Sequence, residues 1–259
     1  MLAFWPDIIA PLLTQLRPEG IVEIGSESGK TTRLLLELAR SYGGTVHAID
    51  PAPWFDAAAW QAEFGAAFVF HRARSLEALH RIDRFGAVLI DGDHNWYTVH
   101  EELLLIERRC RELDRDVPLI LLHDIGWPYG RRDLYYEPDA IPPPYRQPWR
   151  RAGIHPASSA LLPQGGFNAH LCNAVHEGGP RNGVLTAIED YLAETHQKLD
   201  FVRIPAAFGL GILVPSAVRQ RSQEASVFLS LWAHPSVERF IERLEMARIG
   251  MIMQDMPHP

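Results

Sequence analysis

The sequence predicts an α/β domain: a mostly parallel sheet of seven strands with helices on both faces. Three observations predict it. Short, almost wholly apolar segments at 20–25, 45–50, 67–71, 87–91 and 119–123 alternate with segments of helical period. Strands that are apolar throughout are buried on both faces, and the helices between them supply the crossovers of a parallel sheet. Two later segments, 201–204 and 210–214, are close enough in the chain to pair antiparallel.

Taken in order, residues 7–17 (DIIAPLLTQLR) read as an amphipathic helix with Pro11 inside it. GIVEIG at 20–25 is the first strand. TTRLLLELARSY at 31–42 repeats leucine at helical spacing, and Gly43-Gly44 stops it. TVHAID at 45–50 is the second strand, followed by a helix at 57–64, a third strand at 67–71 and a short helix at 75–80. AVLID at 87–91 is the fourth strand. A long helix at 97–113 ends before Pro118, and LILLH at 119–123 is the fifth strand.

The pattern breaks between about 125 and 182, which holds Pro142-Pro143-Pro144, two glycine pairs, and Trp127, Tyr129, Tyr135, Tyr136, Tyr145 and Trp149. An insertion that long without structure is functional or disordered. Its aromatic richness argues for an ordered lid or substrate loop. A helix at 183–196, the two late strands, and helices at 216–231 and 235–248 complete the chain. The whole reads as a Rossmann-like, doubly wound fold with a long lid insertion after strand five and C-terminal helices. It is a single domain over 1–259: an N-terminal helix (1–18), a binding core (19–124), the insertion (125–182), and the sheet end with its helices (183–259).

The 259 residues are 47% hydrophobic and 22% charged, values that exclude a disordered or fibrous chain. No apolar run approaches the ~20 residues of a membrane span. The first residues lack a basic stretch and place Pro6 and Asp7 inside their apolar run, unlike a signal peptide. The expected compartment is the cytoplasm. A net charge of −7 does not suit a nucleic-acid partner. Cys110 and Cys172 give neither a disulfide framework nor a metal motif, and Cys110 is expected to be a buried thiol. The expected partner is a small-molecule substrate, and a homo-oligomer is compatible with the composition. Met246, Met251, Met253 and Met256 are expected to pack the last helix or extend beyond it.

Glu23-Ile24-Gly25-Ser26-Glu27-Ser28-Gly29 lies where a strand ends and a helix begins. Glycines there let the backbone turn tightly, and the helix start offers free N–H groups to an anion. A phosphate-binding P-loop needs four residues between its glycines, and only three stand between Gly25 and Gly29. A dinucleotide fingerprint needs a middle glycine that is absent. The stretch resembles the first motif of class I S-adenosylmethionine-dependent methyltransferases, acidic-x-Gly-x-Gly-x-Gly, with Glu27 replacing the middle glycine. That resemblance implies S-adenosylmethionine as cofactor, contacted by Glu23, Gly25, Ser26, Ser28 and Gly29. It places Asp50, at the next strand end, on the ribose hydroxyls and Ser75 near the adenine. Asp91 joins the same set.

Strand four ends Ile90-Asp91-Gly92-Asp93-His94, and strand five ends His123-Asp124. Two carboxylates brought together repel unless a cation or proton lies between them. This edge resembles the metal-dependent small-molecule O-methyltransferases of the sugar and macrolide type and the cephalosporin hydroxylase-like group. The resemblance implies Asp91, His123 and Asp124 as ligands of a divalent metal and His94 as general base. His123 departs from the family, whose pair is often two acids. An oxygen set suits Mg²⁺, the first expectation; an imidazole ligand favours Mn²⁺, Fe²⁺ or Zn²⁺. Asp93 is a candidate cap for the following helix. Trp127, Tyr129 and Arg131, next to the acid pair, are candidate substrate contacts. The expected activity is O-methylation of a sugar or glycosylated natural product. The alternatives are a metal-dependent hydrolase or hydroxylase on the same fold, and a catalytically silent binding protein.

Overall fold

The computed structural model describes residues 1–254, so Met256 lies outside the described residues. The chain enters as one winding helical segment: a 3₁₀ turn at Leu2–Phe4, a π turn at Trp5–Ile9, then α1 (Ala10–Leu16). Pro6 and Pro11 fall in the first positions of the last two pieces, where a missing N–H costs little. The expected helix therefore exists and starts earlier than its pattern indicated.

Five parallel strands follow: β1 (Gly20–Ile24), β2 (Thr45–Ile49), β3 (Phe68–His71), β4 (Ala87–Ile90) and β5 (Leu119–His123). Between them run α2 (Lys30–Arg40), α3 (Ala57–Phe64), the short α4 (Ser75–Ala78) and α5 (Trp96–Glu112). Past β5, the insertion holds β6 (Leu134–Tyr135), β7 (Trp149–Arg151) and β8 (Cys172–Ala174). α6 (Val184–Glu194), β9 (Leu199–Ile204), β10 (Leu210–Pro215), α7 (Ser216–Arg221), α8 (Gln223–Trp232) and α9 (Pro235–Gln254) complete it. No described helix is long and apolar enough to cross a membrane.

The main sheet has seven strands in the order β3-β2-β1-β4-β5-β10-β9. β10 runs antiparallel to both β5 and β9. Both faces are buried because successive residues feed opposite layers. Ile21, Leu89 and Leu121 pack with Leu35 and Leu36 of α2 on one side. Val22, Ile90 and Leu122 pack with Val99 and Leu103 of α5 on the other. The strand order reverses between β1 and β4, the place where open α/β sheets bind ligands. Register puts the candidate residues in one row there. Ile24 pairs with both Ile49 and Ile90, and Ile90 pairs with Leu122, so Gly25, Asp50, Asp91 and His123 come level.

Two expectations need correction. The insertion is not an irregular loop: it carries a three-stranded antiparallel sheet, β6-β8-β7. Its strands are two or three residues long, too short to leave a periodic pattern. The single helix expected over 216–231 is two, because Ser222 turns extended and its side chain caps α8 through the N–H of Ala225.

Candidate active site

The glycine turn leaves β1 with Gly25 at φ +85°. A Cβ there would lie 2.3 Å from the Asp91 carbonyl oxygen, so the turn and the β4 end touch backbone to backbone. Gly29, at φ +76°, opens α2 against Phe55 and Trp60. Glu27, standing where the motif has glycine, takes φ +41°, in the left-handed region that side chains disfavour. Asp50 holds this turn. Its Oδ2 accepts the N–H groups of Ser26 at 3.0 Å and Glu27 at 2.8 Å, and its Oδ1 that of Ala52 at 2.8 Å. Ser26 Oγ is buried with no hydrogen-bond partner among the described residues, a polar group that a bound ligand would satisfy. The turn thus fits a cofactor of the expected kind, with a tight glycine, one unpartnered buried hydroxyl and an acid at the neighbouring strand end. Ser28 lies in the same turn, ahead of Gly29.

Glu23 is oriented differently. It is buried beneath α2, where Thr32 Oγ1 donates to it, and burial pushes its carboxyl up to about 8 despite that bond. It supports the turn from below. Ser75, buried at the start of α4, has Glu102 of α5 as its acidic neighbour.

The acid–histidine edge comes together. His123 Nδ1 lies 3.1 Å from both Asp91 Oδ1 and Asp124 Oδ2. One ligand atom from each of Asp91, His123 and Asp124 lies within 4.8 Å of the other two, a donor set that fits one metal ion. His94 Nε2 lies 3.2 Å from Asp124 Oδ2, and the α-amino group of Met1 donates to Asp91 Oδ2 at 2.8 Å. Burial opposes ionisation of both acids, but the imidazole neighbours outweigh it and hold both below the usual carboxylate range. For His123 burial acts downward, and Asp124 and Asp91 overcome it to raise the imidazole to about 10. Asp124 is held at φ +59°, and backbone strain of this kind collects at functional sites.

Asp93 does not cap the next helix. Asn95 does, accepting the Thr98 N–H at 2.9 Å, while Asp93 accepts from the Thr98 hydroxyl at 3.3 Å. Asn95 stands one residue before the helix, the position a cap must occupy. Among the candidate substrate contacts, the Tyr129 ring stacks on His94 with centroids 5.8 Å apart. Trp127 packs on Phe167, its Nε1 buried with no hydrogen-bond partner among the described residues. Arg131 turns to α6 and grips Glu189 with both terminal nitrogens, at 2.6 and 2.7 Å.

Sequence reasoning missed the residues that fix the insertion. Arg132 and Asp133 are fully buried. Arg132 donates to the carbonyls of Ala174 and Ser159. Asp133 accepts the N–H groups of Trp96 and Gly183, each at 2.7 Å, and the Tyr135 hydroxyl. The Asp133 N–H donates to Asn182. The only sequence signal was two adjacent charges in an aromatic setting.

A family profile described as a methyltransferase domain matches residues 22–125, the stretch from β1 through the acid–histidine edge. Residues 22–125 are therefore similar to a methyltransferase domain, and the likeness to solved methyltransferases is one of fold. Among solved structures the chain is similar to an SAH-bound methyltransferase from Podospora anserina. The two are 16% identical with a TM-score of 0.50, over 80% of this chain and 76% of that one. A putative caffeoyl-CoA O-methyltransferase from Staphylococcus aureus is 12% identical with a TM-score of 0.48, over 83% and 84% of the two chains. The SAM-bound O-methyltransferase TomG from Streptomyces achromogenes is 15% identical with a TM-score of 0.43, over 80% and 77%. No curated protein matches the sequence.

Proposed function

We propose that the chain transfers a methyl group from S-adenosylmethionine to a hydroxyl of a small molecule, such as a sugar or glycosylated natural product, with a divalent cation at the acid–histidine edge. The observation that carries this reading is the contact of His94 Nε2 with Asp124 Oδ2 at 3.2 Å, beside the Asp91–His123–Asp124 cluster and level with the glycine turn. Gly25 and Ser26 would seat the cofactor, and Asp50 would face its ribose while holding the turn. Asp91, His123 and Asp124 would hold the cation. When bound, S-adenosylmethionine supplies a methyl group already activated on sulfur, and the cation supplies Lewis acidity.

The chain's own residues do the rest. An aliphatic hydroxyl is a poor nucleophile at neutral pH and must lose its proton as the new bond forms. Asp124 holds the His94 ring by Nε2, which leaves Nδ1 to take that proton. Tyr129 covers the other face of the ring and fixes its plane. Tyr136, whose ring centroid lies 6.1 Å from that of His94, would provide aromatic surface for a ring-bearing acceptor. The test is to incubate the protein with S-adenosylmethionine, Mg²⁺ or Mn²⁺ and a panel of sugars and glycosides, and to measure S-adenosylhomocysteine. Acceptor-dependent product supports the reading. Failure to bind S-adenosylmethionine by calorimetry overturns it.

A further inference from the structure

His123 sits in the cation cluster where an oxygen ligand would suit Mg²⁺, and the two ring nitrogens have separate tasks. Nε2 lies 3.1 Å from the Ala207 carbonyl oxygen. A carbonyl can only accept, so Nε2 carries a hydrogen and the ring is oriented by that bond. Nδ1 then points between Asp91 and Asp124 at 3.1 Å from each, donating to these carboxylates here, and a bound cation would take the place of that proton. A ring N–H donated to a backbone carbonyl is the arrangement that orients metal-ligating histidines.

The carbonyl is itself firmly presented. Ala207 and Phe208, in the turn between β9 and β10, take φ +45° and +72°. The Phe208 carbonyl accepts from Gly126 at 2.6 Å. The Phe208 N–H donates to Glu245 of α9 at 2.9 Å, and Arg248 grips Glu245 through two bonds of 2.7 Å. The Phe4 ring meets His123 edge-on, with centroids 5.8 Å apart. This much structure around one imidazole fixes a nitrogen donor at the centre.

We propose, resting on the cation reading above, that this centre selects a first-row transition dication such as Mn²⁺ over Mg²⁺, with His123 Nδ1 as the selecting ligand. Mg²⁺ demands oxygen donors in a near-octahedral shell, whereas imidazole suits the transition series.

The experiment uses the full chain, stripped of metal and titrated with Mn²⁺ and with Mg²⁺ by calorimetry. Pulsed electron paramagnetic resonance on the Mn²⁺ sample reads nitrogen coordination directly. The wild-type protein should bind Mn²⁺ at least about 30-fold more tightly than Mg²⁺ and show ¹⁴N coupling. His123→Asp should bring the two affinities within about 10-fold and abolish the coupling, and Asp91→Asn should weaken both metals. Absence of ¹⁴N coupling in the wild type overturns the proposal, whatever the variants do. So does the same Mn²⁺/Mg²⁺ ratio in wild type and His123→Asp. If neither metal binds while S-adenosylmethionine still does, the proposal and the cation reading both fall. The imidazole then serves as the cluster's own cation, and the transferase reading stands.

Discussion

Asp133 Oδ1 accepts the backbone N–H of Trp96 at 2.7 Å, so a residue of the insertion fixes the first turn of α5. The same oxygen accepts the Gly183 N–H just ahead of α6, and the Leu134 N–H donates to the His94 carbonyl at 3.0 Å. One buried carboxylate thus ties the insertion to the segment that carries His94. Asp133→Ala leaves two buried N–H groups and the Tyr135 hydroxyl without their acceptor. It should destabilise the chain by about 2–4 kcal/mol in urea unfolding. A loss under about 1 kcal/mol would mean that the insertion folds independently of α5.

The glycine turn separates two positions that look alike in sequence. Gly25→Ala puts a Cβ against the Asp91 carbonyl at 2.3 Å and must push the turn away from β4. Its affinity for S-adenosylmethionine should fall at least about tenfold, or ~1.4 kcal/mol. Glu27→Gly relieves a left-handed side chain worth about 1–2 kcal/mol and adds roughly 0.5–1 kcal/mol of unfolded-chain entropy. It should therefore stabilise the fold by roughly 0–1.5 kcal/mol and leave affinity nearly unchanged. Calorimetry and thermal melting of the two variants side by side decide it. A large affinity loss in Glu27→Gly would show that the carboxylate itself contacts the cofactor.

Glu102 gives a pH dependence with a definite sign. Burial pushes its carboxyl up to about 8, with the Ser75 hydroxyl acting the other way. The unfolded chain releases this proton near 4.5, and the folded chain keeps it to about 8. Between those values the native state binds more protons, so Glu102's contribution to stability falls as pH rises and levels off above the upper value. Glu102→Gln has no proton to keep. Relative to wild type it should gain up to about 1.4 kcal/mol per pH unit across the window. Urea unfolding at several pH values tests this, and parallel wild-type and variant curves would refute it.

The sheet was legible in the sequence because both of its faces are apolar. Ile21 and Val22 feed opposite layers, so their segment shows no polar residue until Glu23. The site was legible for a related reason: strands in register bring their last residues level, so Gly25, Asp50, Asp91 and His123 could be read off as four strand ends. What stayed hidden depends on distant partners. Charged residues read as surface, yet Arg132 and Asp133 are buried because carbonyls and N–H groups from remote segments satisfy them. The Ala207 carbonyl that orients His123 belongs to a turn with no chemical motif of its own. Arg131 shows the converse: its place beside the acid pair suggested a substrate, and Glu189 of α6 takes its guanidinium.

The last prediction concerns His94 as the proton acceptor. Its Nε2 faces Asp124 at 3.2 Å and its ring lies flat against Tyr129, so its position is fixed from two sides. It stands three residues beyond Asp91, outside the Asp91–His123–Asp124 donor set, so its removal need not disturb cation binding. His94→Ala should cut turnover by roughly 10²–10⁴, the usual contribution of general base catalysis, with cofactor and metal affinities nearly unchanged. His94→Asn should not rescue it, because an amide has the shape to meet Asp124 but cannot take a proton. Asp124→Asn should depress turnover as well, but it should also weaken the cation, since Asp124 belongs to both arrangements. The kcat of each variant is to be measured at saturating cofactor and metal, with a pre-steady-state experiment to show that methyl transfer limits the rate. If His94→Ala keeps more than about a tenth of wild-type turnover under those conditions, His94 is a packing partner of Tyr129. The proton then leaves through another group, and His123 is the next side chain to test.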